Sequence, residues 1–281
     1  MLVTIFTPNY NGSKYIAEAI ESILNQDFVD FEYIIVDDAS TDNSVAIIQE
    51  YATKDSRIRF FKNKENFGIT KTRNLGFSLR SSKSKYFAIL DDDDISLPNR
   101  ISMQVRFLEK NLSYGMVGSN VIIIDENSKI LGYRYYPQKD EDLRKAILKH
   151  NPFTQSSVML RCSSIIEVGN YLLEWNGTED YDYWLRLGVN FKFANIYEPL
   201  VKYRLSSTQI KTKYLKQTIN NIYHIQKKAI NELDYKDTLL TKLYRQVFNI
   251  FRIFPNFMYF FWRRSVINKS SIEKTLKEKN F

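Results

Sequence analysis

The sequence predicts an α/β fold: a mostly parallel sheet flanked by helices, followed by a helical C-terminal extension. Three observations carry this expectation. Short β-rich apolar runs alternate with helical patterns through residue 90, as consecutive βαβ units do. Several of those runs end in polar or acidic residues, at the place where open α/β sheets bind ligands. The charge also divides along the chain, since residues 205–281 hold 15 Lys/Arg against 5 Asp/Glu and residues 1–204 hold 25 against 27.

The elements follow in order. LVTIF (2–6) reads as the first strand and PNYNGS as the turn after it. Ser13 is placed to cap the next helix, where Ile16, Ile20, Ile23 and Leu24 share one face. FEYIIVDD (31–38) reads as a second buried strand that ends in acids and the loop ASTDNS. A helix over about 43–52 leads to RIRFF (57–61) as the third strand. GITKTRNLGFSLRSS supplies another helix, and YFAIL (86–90) is the fourth strand. Beyond Pro98 a helix runs to about Leu112, and MVGSNVIIID and ILGYRYY read as antiparallel strands joined by the turn DENSK. A short helix near 141–149, strands near 157–161 and 192–197, and a helix around 180–188 complete the body. From about Thr208 the pattern is helical, so the division falls into an α/β domain over 1–205 and a basic, aromatic-rich helical region over 206–281.

Composition narrows the class. At 44% hydrophobic and 26% charged, the 281 residues read as globular. Cys162 is the only cysteine, which leaves no disulfide framework or cysteine metal cluster and favours a reducing compartment. The start MLVTIFTPNYNG lacks the basic region of a signal peptide, and no window approaches 18 uncharged apolar residues, so no transmembrane helix is expected.

The stretch YFAILDDDDISLPNR (86–100) sets four aspartates directly after a buried-type strand. Asp is a poor strand former and adjacent carboxylates repel, so something must compensate. A divalent cation is the leading candidate, Mg²⁺ or Mn²⁺, which take oxygen ligands and bind through one or two carboxylates plus substrate phosphates. The D-x-D spacing places alternate carboxylates on one side of an extended segment. The polar cluster Thr7 to Asn11 and the pair Asp37-Asp38 converge on the same sheet edge if the strands are parallel. Taken singly, an Asp after a strand also reads as a loop residue or helix N-cap, and that reading stays open for Asp37 and Asp38.

VTIFTPNYNGSKYIAEAIESILNQDF, EYIIVDDASTDNS, NFGITKTRNLGF and YFAILDDDDISLPNR together resemble an inverting family 2 glycosyltransferase of the GT-A fold, of the bacterial surface-polysaccharide type. SSVMLRCSSIIEVGNY and TEDYDYWLRL extend the resemblance to roughly residues 2–205. It implies a GT-A nucleotide-binding domain and assigns roles. Thr7, Pro8 and Tyr10 would line the uridine pocket, with the Tyr10 ring available for stacking. Asp38 would hydrogen-bond the base and Asp37 would support its loop. Asp91 and Asp93 would meet the donor's ribose or sugar and the metal, Asp93 being the direct ligand, with Asp92 beside them in the variable place of the signature. Lys71 and Arg73 would meet the donor, where a cation near a diphosphate is physically sensible; solvated helix charges are the competing reading. Ala39 departs from the family's usual Gly and makes that turn less permissive.

An inverting transfer needs a base on the face opposite the leaving nucleotide, and a carboxylate can serve. By the resemblance Asp180 is that base and Glu179 orients it or the acceptor. Acids in the first turn of a helix are also favoured by its dipole, without catalysis. His150, Asn151 and Pro152 precede a segment where the family builds acceptor-side loops, and His150 is a candidate for direct contact.

The resemblance implies a nucleotide-sugar donor, a UDP-sugar in the family's usage, and a glycan or lipid-linked acceptor. FNIFRIFPNFMYFFWRR (248–264) combines aromatics with flanking cations, as an interfacial segment facing anionic lipid does. Packing on the catalytic domain or a homo-oligomer interface is the alternative, and no recognised nucleic-acid motif accompanies the charge. The expected location is cytoplasmic, peripheral on the inner face of the cell membrane. Two other functions compete: a D-x-D phosphatase or phosphotransferase, against which Ile95 stands where a hydroxyl residue belongs, and a non-catalytic nucleotide-sugar binder, against which Asp180 is retained.

Overall fold

The computed structural model describes residues 2–205 and 215–253. Strands and helices alternate as expected: β1 (Val3–Asn9), α1 (Ile16–Leu24), β2 (Phe31–Asp37), α2 (Ser44–Lys54), β3 (Ile58–Lys62), α3 (Ile69–Leu79) and β4 (Tyr86–Ile89). Then come β5 (Ile95–Ser96), α4 (Arg100–Lys110), β6 (Tyr114–Ile124), β7 (Ile130–Arg134), α5 (Asp140–Ile147), β8 (Met159–Arg161), α6 (Cys162–Val168), α7 (Glu179–Asn190) and β9 (Lys192–Arg204). Two helices follow, α8 (Leu215–Glu232) and α9 (Leu239–Ile253).

The strands form one nine-stranded sheet in the order β3-β2-β1-β4-β8-β6-β9-β5, with β7 paired to β6. β1 to β4 are mutually parallel, whereas β8 is antiparallel to both β4 and β6. Every residue of β1 and of β2 is buried, which explains their near-continuous apolar runs. The pleat sends alternate side chains to opposite faces. Phe6, Ile34, Val36 and Phe87 enter one core with α7 and α8, while Val3, Ile5, Ile35 and Ala88 enter a second with α1 and α4.

Parallel strands with matched ends bring their C-terminal loops to one edge. Asn9 pairs with Asp37, and Asp37 with Lys62, so the loops after β1, β2 and β4 meet there.

The structure corrects three local readings. Ser13 is not the cap of α1, which starts after Tyr15; Ser13 instead donates its backbone N–H to Asp42 Oδ2 at 2.9 Å. The reason is the turn at Gly12, whose carbonyl takes the N–H groups of both Tyr15 and Ile16. The last strand does not stop near 197. It runs to Arg204, with register shifts between Ser119 and Val121 that accommodate Pro199. The four aspartates are not extended: the Asp94 N–H donates to the Asp91 carbonyl at 3.3 Å and closes a turn.

α8 packs into the first core through Ile225 and Ala229, and Tyr235 donates its hydroxyl proton to the Leu185 carbonyl at 3.0 Å. The aromatic stretch 248–264 lies outside the described residues, apart from the backbone of its first six at the end of α9. No helix among the described residues is long and apolar enough to cross a membrane.

Candidate active site

The acid turn Asp91–Asp94 is compensated by arginines from three distant segments. Arg73 on α3 donates to Asp91 Oδ1 at 2.8 Å. Arg204, at the end of β9 and fully buried, gives its backbone N–H to Asp94 Oδ1 and its Nε–H to the Asp93 carbonyl, each at 2.8 Å. Its remaining nitrogens reach Glu18, Asp125 and Ser128, and its plane lies 4.1 Å from the Tyr15 ring centroid. Arg100, also fully buried, donates to the Ile89 carbonyl directly before the turn. Burial pulls Arg100 down to about 9, against the opposing charge of Asp94. Burial first, then the charges of Asp93 and Asp91, push the carboxyls of Asp92 and Asp94 well above the usual carboxylate range. Ser156 adds a further hold on the turn by accepting the Asp91 N–H at 3.1 Å.

The other strand-end residues pack around this turn. Asp92 Oδ2 accepts the Tyr10 N–H at 3.3 Å. Gly12 is required here, because a Cβ at that position would overlap both Asn9 Oδ1 and Asp92 Oδ2. Asp37 accepts from Asn9 Nδ2 at 2.7 Å and from Ser40 through both its N–H and its hydroxyl. Asp38 accepts from Asn63 Nδ2, the Phe67 N–H and the Gly68 N–H at 2.7–2.9 Å, which ties β2 to the start of α3. Ala39 between these loops has φ +60°, a left-handed conformation that costs a non-glycine residue.

Not every residue assigned to the nucleotide pocket faces outward. Thr7 is fully buried, and its hydroxyl is 2.9 Å from that of Tyr33, because β1 alternation turns it into the second core. Pro8 is buried in the same strand, whereas Tyr10 is 49% exposed. Lys71 is exposed, with its ammonium 5.6 Å from the Phe67 ring centroid. Arg73 is not a solvated helix charge: it is buried, and both its terminal nitrogens hold acids. Nη2 holds Asp91, and Nη1 holds Glu179 Oε1 from the first turn of α7.

Glu179 and Asp180 are 1% and 6% exposed. Asp180 Oδ2 accepts Asn151 Nδ2–H at 2.9 Å, and Oδ1 accepts the Tyr181 N–H at 2.8 Å. Asn151 is thus a residue of that loop that donates to Asp180. Burial pushes the Glu179 carboxyl above its ordinary range; Arg73 opposes that shift and Asp180 adds to it. Glu179 Oε2 and Arg73 Nε are both buried without a hydrogen-bond partner among the described residues. Thr178, just before the pair, is fixed from behind by Asn221 of α8 at 3.1 Å.

Among the described residues, no three His, Cys, Asp or Glu side chains gather closely enough to hold an ion alone. The acid turn nonetheless fits a hard cation in its chemistry. It offers oxygen donors only, and Asp91 keeps 26% of its side chain exposed. One or two carboxylates completed by donor phosphates is the arrangement Mg²⁺ or Mn²⁺ takes.

The model of the family described as "Glycosyl transferase family 2" matches residues 4–169. The chain belongs to that family. Among relatives, it is 38% identical over 208 residues to the uncharacterized glycosyltransferase MJ1057 of Methanocaldococcus jannaschii, covering 73% of this chain and 71% of that one. It is 30% identical over 218 residues to WfgD of Escherichia coli, named a UDP-Glc:alpha-D-GlcNAc-diphosphoundecaprenol beta-1,3-glucosyltransferase, covering 77% and 82%. A structure of S. aureus TarS 1-349 with UDP-GlcNAc superposes with a TM-score of 0.65 at 18% identity, covering 84% of this chain and 68% of that one. The family 2 domain therefore has the GT-A fold, and the chain is a glycosyltransferase.

Four residues of the site escaped the sequence reading: Asn151 as the partner of Asp180, Ser156 and Arg204 as holders of the acid turn, and Arg100 beneath it. A buried arginine is a signal only once its burial is known, and each of these contacts spans at least 11 residues.

Proposed function

We propose that this family 2 enzyme is an inverting transferase that moves a sugar from a nucleotide-diphosphate donor, a UDP-sugar, to a hydroxyl of a glycan or lipid-linked acceptor. The observation that carries this reading is the juxtaposition made by Arg73, which puts the donor-side acid turn and the Glu179–Asp180 step on one guanidinium. A displacement with inversion needs those two functions side by side, leaving group on one face and base on the other.

Asp180 takes the proton from the acceptor hydroxyl as the new bond forms. Asn151 fixes the orientation of its Oδ2, so the carboxylate meets the acceptor in one geometry. Glu179 orients the acceptor through its unpartnered oxygen. On the donor side the exposed Tyr10 ring stacks on the base. Asp38 has three of its lone-pair sites filled by protein, leaving one for the base, and Asp37 holds the loop that carries it. Thr7 and Pro8 support that wall from below. Asp91 and Asp92 face the donor, and Lys71, in the first turn of α3, supplies a cation toward the diphosphate. Asp93 with Asp91 would hold Mn²⁺ or Mg²⁺, which when bound neutralises charge on the departing diphosphate.

The UDP choice is supported by the TarS complex with UDP-GlcNAc and by the name of WfgD, which also specifies a lipid-diphosphate acceptor. Such an acceptor suits an enzyme that works in polysaccharide assembly at the inner face of the cell membrane. α9 leaves Leu239, Leu240 and Leu243 more than half exposed, and the sequence beyond it is aromatic and basic, which favours contact with an anionic lipid surface over a homo-oligomer interface. Co-sedimentation with anionic but not neutral vesicles is the expected result.

The direct test is calorimetric titration of UDP, GDP and dTDP, each with Mn²⁺ and with EDTA, into wild type and Asp93→Asn. Metal-dependent binding of UDP that Asp93→Asn loses supports the reading. Binding of none of the three by folded protein overturns it.

A further inference from the structure

Arg73 is placed with more care than a surface cation requires. Its helix, α3, is drawn against β1 at Gly76, where any Cβ would overlap the Phe6 ring. One residue beyond Arg73, Asn74 exchanges two hydrogen bonds of 2.9 Å with the backbone of Tyr171. At the head of the helix, the Thr70 hydroxyl donates to Asn176 Oδ1 at 2.8 Å, in the loop that leads to α7. Tyr171 in turn stacks on Phe77 with ring centroids 4.9 Å apart, and its hydroxyl accepts from Gln155 beside Ser156. α3 is therefore pinned on one side to the sheet and on the other to the segment that delivers Glu179 and Asp180. The guanidinium, with 10% of its side chain exposed, spends one terminal nitrogen on each half of the site. A planar fork can serve two carboxylates from different elements at once; a single ammonium on a flexible stem cannot hold both in fixed directions.

We infer that Arg73 is a positioning residue that locks Asp91 and Glu179 into register across the cleft, so that turnover depends on it more steeply than nucleotide binding does. This rests on the donor-site reading above but assigns Arg73 a different task from a diphosphate contact. Each terminal nitrogen gives one N–H to an acid, and Nε is buried without a partner among the described residues. Loss of the fork would release Asp91 toward solvent and leave Glu179 buried with no cation, and displacement of either by about 1 Å is enough to cost on the order of a hundredfold in rate.

The test uses the full chain, with Arg73→Ala, Arg73→Lys, Glu179→Gln and the Arg73→Ala/Glu179→Gln double variant. Two quantities are read: binding of UDP with Mn²⁺ by calorimetry, and release of UDP from UDP-GlcNAc or the matching UDP-sugar. The expected result is a UDP affinity lowered by no more than about tenfold in both Arg73 variants, since Asp91 loses its fixed direction while Asp93 is untouched, with UDP release at saturating donor down by ten- to a hundredfold. The double variant should lose no more than the worse single one, since the two residues act as a unit. Should Arg73→Ala fail to fold, Arg73→Lys decides alone, because it keeps the charge and removes only the fork. UDP binding lost in a folded Arg73 variant would make the residue a diphosphate ligand and overturn the inference. Unchanged UDP release, or additive losses in the double variant, would overturn it as well. If wild type itself binds no UDP with Mn²⁺, the donor-site reading falls and this inference falls with it.

Discussion

Asp37–Asp38 and Glu179–Asp180 are both neighbouring acid pairs, both almost fully buried, and the protein holds them in opposite ways. The first pair is well supplied, with three donors to each carboxylate. Asp37 takes Asn9 and two groups of Ser40, and Asp38 takes Asn63 and two backbone N–H groups. The second pair is lean: Glu179 has one cation and an orphaned oxygen, and Asp180 has one side-chain donor and the N–H of its own successor. A well-supplied buried carboxylate organises loops, because its donors are backbone, amide and hydroxyl groups drawn from several loops. An under-satisfied one retains free lone pairs for a substrate hydroxyl. The same residue types are thus held in two ways, and the leaner setting is the one that suits the proton transfer proposed for Asp180.

The division can be broken by mutation, beginning with the largest effect. Asp180→Asn keeps shape and the Asn151 neighbour but removes the base; sugar transfer should fall by about 10²–10⁴-fold with an unchanged denaturant midpoint. Asp38→Ala should act on stability as well as on donor affinity. Stripping the acceptor from two part-buried N–H groups and the buried Asn63 amide should cost roughly 2 kcal/mol of unfolding free energy in a urea titration. Asn151→Ala leaves Asp180 chemically intact but lets it turn, and a loss of about tenfold in turnover, with little change in donor KM, is expected in steady-state kinetics. Ala39→Gly is the smallest change and has the opposite sign. Relief of the φ +60° conformation exceeds the added chain entropy, so stability should rise by about 0.5 kcal/mol.

The donor half was legible because its chemistry sits on local signals. β1, β2 and β4 are short apolar runs, their ends are polar, and parallel pairing alone carries those ends to one edge. What the run of four aspartates lacked was a visible counter-charge. A divalent cation was the leading candidate for it, and in the fold Arg73, Arg100 and Arg204 already share that task from segments up to 111 residues away. No periodicity links Arg204 at the end of β9 to Asp93, and Pro199 disguised the strand that delivers it. Thr7 was misplaced for a related reason: strand alternation decides which face a residue takes, and the turn beginning at Pro8 drew attention away from that parity. Asn151 donates to Asp180 across 29 residues, and no local signal in its loop announces that contact.

The measurement that tests the division most directly is calorimetric titration of UDP with Mn²⁺ into folded Asp180→Asn, alongside wild type. Affinity equal to wild type in this variant, which should no longer transfer sugar, is the predicted result and would place the second pair in the chemical step alone. Loss of UDP binding in Asp180→Asn would contradict it, since the second pair would then belong to the donor pocket and its leanness would have another cause.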